Sequence, residues 1–374
     1  MMIYSARPAF EHLVPHPPQQ IRFCKSRDGT RIAYAVCGEG PPLVRAGHSF
    51  SHLEYEWDCL AWRPWLDLLT RNHTLIRYDA RGTGLSDRDG VDFSFDRLVE
   101  DMDAVIAAAG LKRFDLVGIT GGGALAVTHA ARHPGMVERL VLYGACARGR
   151  LARSTTPAKL QETELILKMM ELDWGQDHPE FRQLFTYQYI PDGTADELRS
   201  FNELMRLSTS AANAAQYFRA SFKADVCELA PRVTCPALVL HARGDLRMPF
   251  EQGRELATLI PGARFIPLDS RNHFLSAQEP AWLQLTAELE RFLQQPAPSK
   301  AAATGDFEGL TTRERAVLDV LVQGLVTDAM AERLGMTEKT VRNHLSTIYS
   351  KLGVENRAQA IVLAHEKGLG RKTK

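Results

Sequence analysis

Leu116-Val117-Gly118-Ile119-Thr120-Gly121-Gly122-Gly123 sits between two segments of different periodicity. Before it, Phe114-Asp115-Leu116-Val117 reads as a short buried strand. After it, Ala124–His133 reads as a helix. Glycine is packed into such a turn where two backbones approach closely, and a side chain at Gly118 or Gly122 would collide. Strand, glycine-rich turn and helix form the setting of the G-x-S-x-G elbow, whose strained backbone pushes one hydroxyl out at the top of a sheet. Here that hydroxyl belongs to Thr120. Asp115, ahead of the strand's apolar core, reads as a surface residue, and His129 and His133 read as structural.

Working outward, Ile21–Cys24 and Arg31–Val36 alternate around Asp28-Gly29-Thr30, a hairpin pattern. Strands are expected at 41–46, 74–78, 140–144, 237–241 and 263–267, and helices at 95–109, 250–259 and 280–293. The loop Asp79-Ala80-Arg81-Gly82-Thr83-Gly84-Leu85-Ser86 follows the second of these strands. This alternation predicts an α/β fold: a mostly parallel, doubly wound sheet with helices on both faces. It breaks between about 150 and 232, where helical segments at 157–172, 179–189 and 195–222 form an inserted block. Residues 294–308 are rich in Pro, Ala, Gly and Ser and read as a linker. The expected division is an arm at 1–20, a main domain at 21–293, the linker, and an all-α domain of four helical segments at 309–374.

A chain of 374 residues is expected to hold two or three domains, and 45% apolar with 24% charged residues excludes a disordered chain. The zero net charge is unevenly spread. From Gly309 onward there are 11 Lys/Arg against 7 Asp/Glu, leaving 34 against 38 in the rest. A basic tail on a mildly acidic body suggests an anionic partner for the tail. Six scattered cysteines without a C-x-x-C pair argue against a zinc site or a disulfide scaffold, so no metal and no cofactor are expected. No run of about 18 apolar residues occurs, so no membrane partner is expected. The first twenty residues, broken by Pro8, Pro15, Pro17 and Pro18, do not read as a signal peptide, and the expected location is cytoplasmic.

Hydroxyl chemistry at an elbow needs an acid and a histidine further along the chain: the histidine takes the proton, and the carboxylate fixes its tautomer. Asp245, at a strand end in Arg243-Gly244-Asp245, and His273, in the loop Arg271-Asn272-His273-Phe274, meet that order. With the elbow and the Asp79–Ser86 loop, these residues make 21–293 resemble the α/β-hydrolase family. The resemblance implies that the inserted block is a helical cap and that a ligand pocket lies between cap and sheet edge. It also implies oxyanion-binding amides near His48-Ser49 and at Gly121. Candidate pocket residues are Gly47, His48, Ser49, Phe50, Thr120, Gly121, Trp174, Phe185, Tyr189, His273 and Phe274.

Threonine departs from the family's serine. Its β-branched side chain is stiff, disfavours positive φ, and adds a methyl where a tetrahedral intermediate must fit. The leading reading is therefore a domain that binds a small, largely apolar molecule without turnover, with Thr120, Asp245 and His273 in triad positions but not catalytic. The alternative is an esterase-like hydrolase with Thr120 as nucleophile. A third reading is a vestigial domain that binds nothing.

The tail opens with Thr311 and Glu314 spaced as a capping box. Two short helices then flank Gly335-Met336, the second starting at Thr337 with Val341, Leu345 and Ile348 on its inner face. Two helices joined by a tight glycine turn make a helix-turn-helix. Lys339, Thr340, Arg342, Asn343 and His344, with Lys351 farther along, carry donors suited to base edges and phosphates. The stretches Leu310-Thr311-x-Arg313-Glu314, Ala331-Glu332-x-Leu334, Thr337–Val341 and Lys351–Val354 resemble the LuxR-type (GerE) family. That resemblance implies double-stranded operator DNA as partner, a homodimer formed through the last helix, about Arg357–Ala364, and contact with the transcription machinery. The chain departs from the family at Val326-Thr327-Asp328-Ala329, where Asp328 would repel phosphate. Together these readings predict a ligand-responsive transcriptional regulator.

Overall fold

The structure, a computed structural model, describes residues 16–174, 180–294, 307, 309–354, 356–366 and 369. Most of the expected arm and nearly all of the expected linker lie outside them. The chain divides into two units, Met1–Gln295 and Pro296–Lys374.

In the first unit, Gln19–Lys25 (β1) and Arg31–Cys37 (β2) pair antiparallel from Gln19↔Cys37 to Lys25↔Arg31. The following strands are Pro42–Arg45 (β3), Thr74–Tyr78 (β4), Phe114–Ile119 (β5), Val137–Tyr143 (β6), Ala237–Ala242 (β7) and Arg264–Leu268 (β8). The eight strands run in the order β1-β2-β4-β3-β5-β6-β7-β8, antiparallel where β2 pairs with β1 and β4, and parallel from β4 to β8. All six residues of β5 and of β7 are buried, as parallel strands covered on both faces require.

Successive side chains feed two cores, since neighbours on a strand point to opposite faces. Val117, Val141, Tyr143, Leu238 and Leu240 join one apolar cluster with Trp62, Trp65, Leu285 and Phe292. Leu116, Leu140, Leu142 and Val239 join the other with Val99, Met102, Leu125 and Leu256. The first face is therefore covered by Arg63–Thr70 (α1) and Pro280–Gln294 (α9). The second is covered by Phe95–Ala108 (α2), Gly122–Arg132 (α3) and Phe250–Leu259 (α8). The sequence signalled no helix at α1, which carries Pro64 in its first turn and buries Trp65, Leu66, Leu68 and Leu69.

Chain order explains where a site can form. From β3 the chain steps to β4 on one side, then crosses back to β5 on the other. A crevice opens outside the carboxyl ends of the strands at such a reversal. The segments leaving those ends are Gly47-His48-Ser49 after β3 and Thr120-Gly121 after β5.

The inserted block contains Pro157–Asp173 (α4), Glu180–Tyr189 (α5), Ala195–Ser208 (α6) and Ala211–Lys223 (α7). The single segment expected at 195–222 is two helices. Thr209 bridges to Thr83, its hydroxyl donates to the Gly82 carbonyl at 2.7 Å, and the Ser210 hydroxyl accepts from the Asn213 amide to start α7. A side chain that caps a new helix ends the old one. Asp115 also differs from expectation. It is 1% exposed and bound in a fork by Arg139, Nε to Oδ1 at 2.7 Å and Nη2 to Oδ2 at 2.9 Å. Burial of that charge is compensated by a cation twenty-four residues away, which no local pattern announces.

The second unit contains Thr312–Leu321 (α10), Thr327–Leu334 (α11), Glu338–Leu352 (α12) and Arg357–Glu366 (α13). Its core holds Val317, Leu318, Leu321, Met330, Val341, Leu345, Ile348, Ala360 and Ala364. Thr311 and Glu314 form the capping box. Gly335 ends α11 at φ 62°, and the Thr337 hydroxyl accepts from the Thr340 amide to begin α12. Among the described residues, no helix is long and apolar enough to cross a membrane.

Candidate functional site

The elbow has the backbone the sequence implies. A Cβ on Gly118 would lie 2.7 Å from the Gly123 Cα, and one on Gly122 would lie 2.9 Å from the Gly47 carbonyl oxygen. Between them Thr120 has φ 47°, the one non-glycine residue with positive φ among those described. A β-branched residue held there stores about 1–3 kcal/mol of strain. Its hydroxyl oxygen accepts a short hydrogen bond from the amide of Gly121.

Asp245 and His273 meet, with Nδ1 donating to Oδ2 at 2.6 Å. The other carboxylate oxygen accepts from the amides of Arg247 and Met248, both at 2.8 Å. Burial raises the Asp245 carboxyl, but the imidazole and the Met248 amide outweigh it and hold the group below its ordinary range. With the proton fixed on Nδ1, Nε2 is a bare acceptor. It is buried and without a hydrogen-bond partner, and no bond joins it to Thr120. Nucleophile and base are thus present but unconnected.

A cavity of about 40 Å³ lies at the crevice. His48, Ser49, Thr120 and Gly121 stand on its wall, as the sequence suggests. His48 is buried, stacks on Trp62 with ring centroids 4.8 Å apart, and donates from Nε2 to Glu56 at 3.1 Å. Desolvation lowers its pKa, so the ring is neutral. Gly47 lies beneath, its carbonyl accepting from the Tyr217 hydroxyl at 3.4 Å.

The other expected pocket residues are elsewhere. Phe50, Trp174, Phe185, Tyr189 and Phe274 are each at most 2% exposed and interlock as core. Trp174 and Phe185 rings lie 5.1 Å apart, Phe50 and Tyr189 5.5 Å, and Tyr189 and Phe274 5.6 Å. They are correctly placed under the cap, but they fill one another's space, because aromatic surface is most stable when fully covered. His273 is fully buried between Tyr189 and Phe274 and is not on the cavity wall. In exchange the wall carries Cys146, Arg150, Arg153 and Arg247, none of which the sequence reading named. The run Arg148-Gly149-Arg150-Leu151-Ala152-Arg153 was the one available signal. The wall thus combines apolar side chains such as Phe218 and Phe222 with three arginines.

No metal is expected from the sequence. Among the described residues, Asp103, His129 and His133 bring ligand atoms within 4.8 Å of one another. The His129 Nδ1 to Asp103 contact at 2.7 Å ties α3 to α2, a structural role.

In the second unit, Lys339, Thr340, Arg342 and Asn343 are exposed at the start of α12, opposite the buried Val341, Leu345 and Ile348, and His344 is half-buried. Arg342 pairs on the surface with Glu338 at 3.2 Å. Lys351, also in the expected DNA-contacting set, is bound within the domain. Its Nζ donates to both oxygens of Glu314, at 2.8 and 3.0 Å, and so ties α12 to the start of α10. That bond and the Thr311 amide hold the Glu314 carboxyl at about 2.

Comparison with known proteins gives two family matches. The model described as "alpha/beta hydrolase fold" matches residues 51–188, and that described as "Bacterial regulatory proteins, luxR family" matches 308–364. The chain is 26% identical over 253 residues to an AB hydrolase superfamily protein, YisY, of Bacillus subtilis, covering 67% of this chain and 91% of that protein. Over 60 residues it is 47% identical to the DNA-binding transcriptional activator DevR/DosR of Mycobacterium tuberculosis, covering 16% of this chain and 28% of that one. Among solved structures, a hydrolase from Pseudomonas aeruginosa PA01 superposes with a TM-score of 0.61 at 25% identity, covering 73% of this chain and 98% of that one. The chain therefore joins an α/β-hydrolase domain to a C-terminal LuxR-type (GerE) helix-turn-helix domain.

Proposed function

We propose that this chain is a ligand-responsive transcriptional regulator whose hydrolase-fold domain binds a small molecule without turning it over, and whose C-terminal domain binds operator DNA as a homodimer. One observation carries the reading. The Thr120 oxygen faces the Gly121 amide, while the bare Nε2 of His273 is buried without a partner. A hydroxyl becomes a nucleophile when an adjacent base takes its proton, and here the two groups are not hydrogen-bonded. The amide that would stabilise an oxyanion is occupied by the hydroxyl itself. What remains is a set of polar groups around a small cavity, suited to holding a ligand. For signalling, the ligand must bind one arrangement of the regulator better than the other, since equal affinity shifts nothing.

A hydrolase is the second reading, favoured by the intact Asp245–His273 bond and by the positive φ of Thr120. Thr120→Ala separates the two. Ligand-dependent operator binding is expected to survive it, and wild-type hydrolysis of a p-nitrophenyl ester is expected to match the mutant's background. Turnover that disappears in Thr120→Ala, or a covalent adduct on Thr120 by mass spectrometry, would sink the non-catalytic reading.

A further inference from the structure

Three arginines, Arg150, Arg153 and Arg247, line the cavity beside Thr120, and no aspartate or glutamate does. Arginine stays charged at any physiological pH. Arg150 has a counterion, Glu162, at 2.5 Å. Arg153 spends its donors on neutral groups: the Arg148 carbonyl at 3.2 Å, the Gln252 side chain at 3.3 Å and the Met248 sulfur at 3.5 Å. Arg247 is the most constrained. Its Cζ lies 4.9 to 5.5 Å from the ring centroids of Phe185, Tyr189, Phe218 and Phe222, and its Nε donates to the Tyr189 hydroxyl at 2.9 Å. Neither Nη1 nor Nη2 of Arg247 has a hydrogen-bond partner among the described residues. Arg153 and Arg247 pair with no carboxylate among the described residues, and an anion entering the cavity supplies one.

We propose that the cavity is a binding site for a small carboxylate, with Arg247 as its principal ligand and Arg153 as its second cation. The class follows from the shape of the donor. With rings packed around it and Nε already used, the guanidinium of Arg247 offers its two terminal nitrogens in one plane, the fork that a planar carboxylate fills with two parallel hydrogen bonds. The size follows from the volume. About 40 Å³ is room for roughly three waters, so the acid carries a short chain, and Phe218 and Phe222 supply apolar wall for it. This inference rests on the ligand-binding reading above and adds an anionic group to the ligand's chemistry.

The test uses the full chain and two matched series, the straight-chain acids from acetate to hexanoate and their methyl esters, with inorganic phosphate as a third arm. Thermal melting and native mass spectrometry are read at neutral pH. The expected result is that a short acid raises the melting temperature, that its methyl ester and phosphate do not, and that Arg247→Gln weakens the acid's Kd at least tenfold. Arg153→Gln, which leaves the aromatic cage untouched, gives a smaller loss and serves if Arg247→Gln fails to fold. Absence of any shift by the acids, or a response to phosphate alone, overturns the carboxylate site. An ester that binds unchanged in mass while its acid does not overturns the anion inference and leaves the non-catalytic reading standing. An ester recovered as its acid overturns the non-catalytic reading itself.

Discussion

Glu56→Gln is expected to lower the melting temperature of the hydrolase-fold domain by roughly 10 °C. The side chains of Glu56, Arg45 and Arg77 are all fully buried. Glu56 accepts from Arg45 at 2.8 Å and from Arg77 at 2.5 Å, and Arg77 also donates to the Leu53 carbonyl. Burial raises the Glu56 carboxyl, but the two arginines outweigh it and hold it well below the ordinary carboxylate range. Neutralising it leaves two buried cations facing each other. Removing one partner of a buried ion pair costs about 3–5 kcal/mol, and each kcal/mol is worth roughly 2–4 °C in a domain of this size. Several guanidinium nitrogens of the pair already lack hydrogen-bond partners. Glu290→Gln is the control, because its pair with Arg71 is on the surface and contributes less than about 1 kcal/mol. The sign with pH follows from a depressed value. The contribution is complete above the ordinary glutamate value of about 4.3 and is lost only as pH falls through the folded value. Calorimetry that finds the two mutants equal would refute the assignment.

The same cluster reaches the site. Glu56 accepts from His48, which stands on the cavity wall, so the carboxylate sets the tautomer of a ring the ligand can meet. On the proposed ligand-binding reading, a loss of ligand affinity in Glu56→Gln is expected even at temperatures where the domain stays folded.

What the sequence could reveal divides along the range of the interactions. Local patterns were legible: the glycine-packed elbow around Thr120, the Thr311–Glu314 box, the tight turn at Gly335, and the buried strand that carries Leu116 and Val117. The Asp245–His273 pair was legible because the order of groups along such folds constrains where acid and base must come from. Long-range compensation was not. Asp115 reads as a surface charge until Arg139 is seen beside it, and nothing local announces that Lys351 pairs with Glu314. Arg150 and Arg153 leave the end of β6 and Arg247 follows β7, so their convergence is a property of the sheet, not of any segment. The aromatics of the cap carried the opposite lesson. Composition places Trp174 and Phe185 under the cap, but whether such rings line a hole or fill it depends on packing that no periodicity encodes.

Arg342→Ala is expected to weaken specific DNA binding by about 1–3 kcal/mol, or about 5- to 150-fold, and Lys351→Met to leave the affinity of the folded domain within about twofold. Both are cations on α12, and the sequence gives no reason to separate them. Their partners do. Arg342 sits in the first turns of the helix, exposed, and held by a surface pair with Glu338 that is worth only about 0.3–0.5 kcal/mol. That pair yields readily to a guanine edge or a phosphate. Lys351 lies near the other end, its ammonium bound to a buried carboxylate that also closes the capping box of α10. Withdrawing it to meet DNA would strand Glu314, so its loss appears as a lower melting temperature of the C-terminal domain. The salt dependence gives a second readout. Each phosphate contact removed flattens the slope of log K against log salt by about one. Lys351→Met should leave that slope unchanged, Lys339→Ala or Arg342→Ala should reduce it if the side chain meets phosphate, and a base contact should instead relax selectivity at one position. The duplex for these measurements comes from selection out of random sequence by the full chain. A chain ending at Gln295 should select nothing. Affinity retained in that shortened chain, or a full unit of slope lost in Lys351→Met, would return the DNA-contacting surface to a different face of the protein.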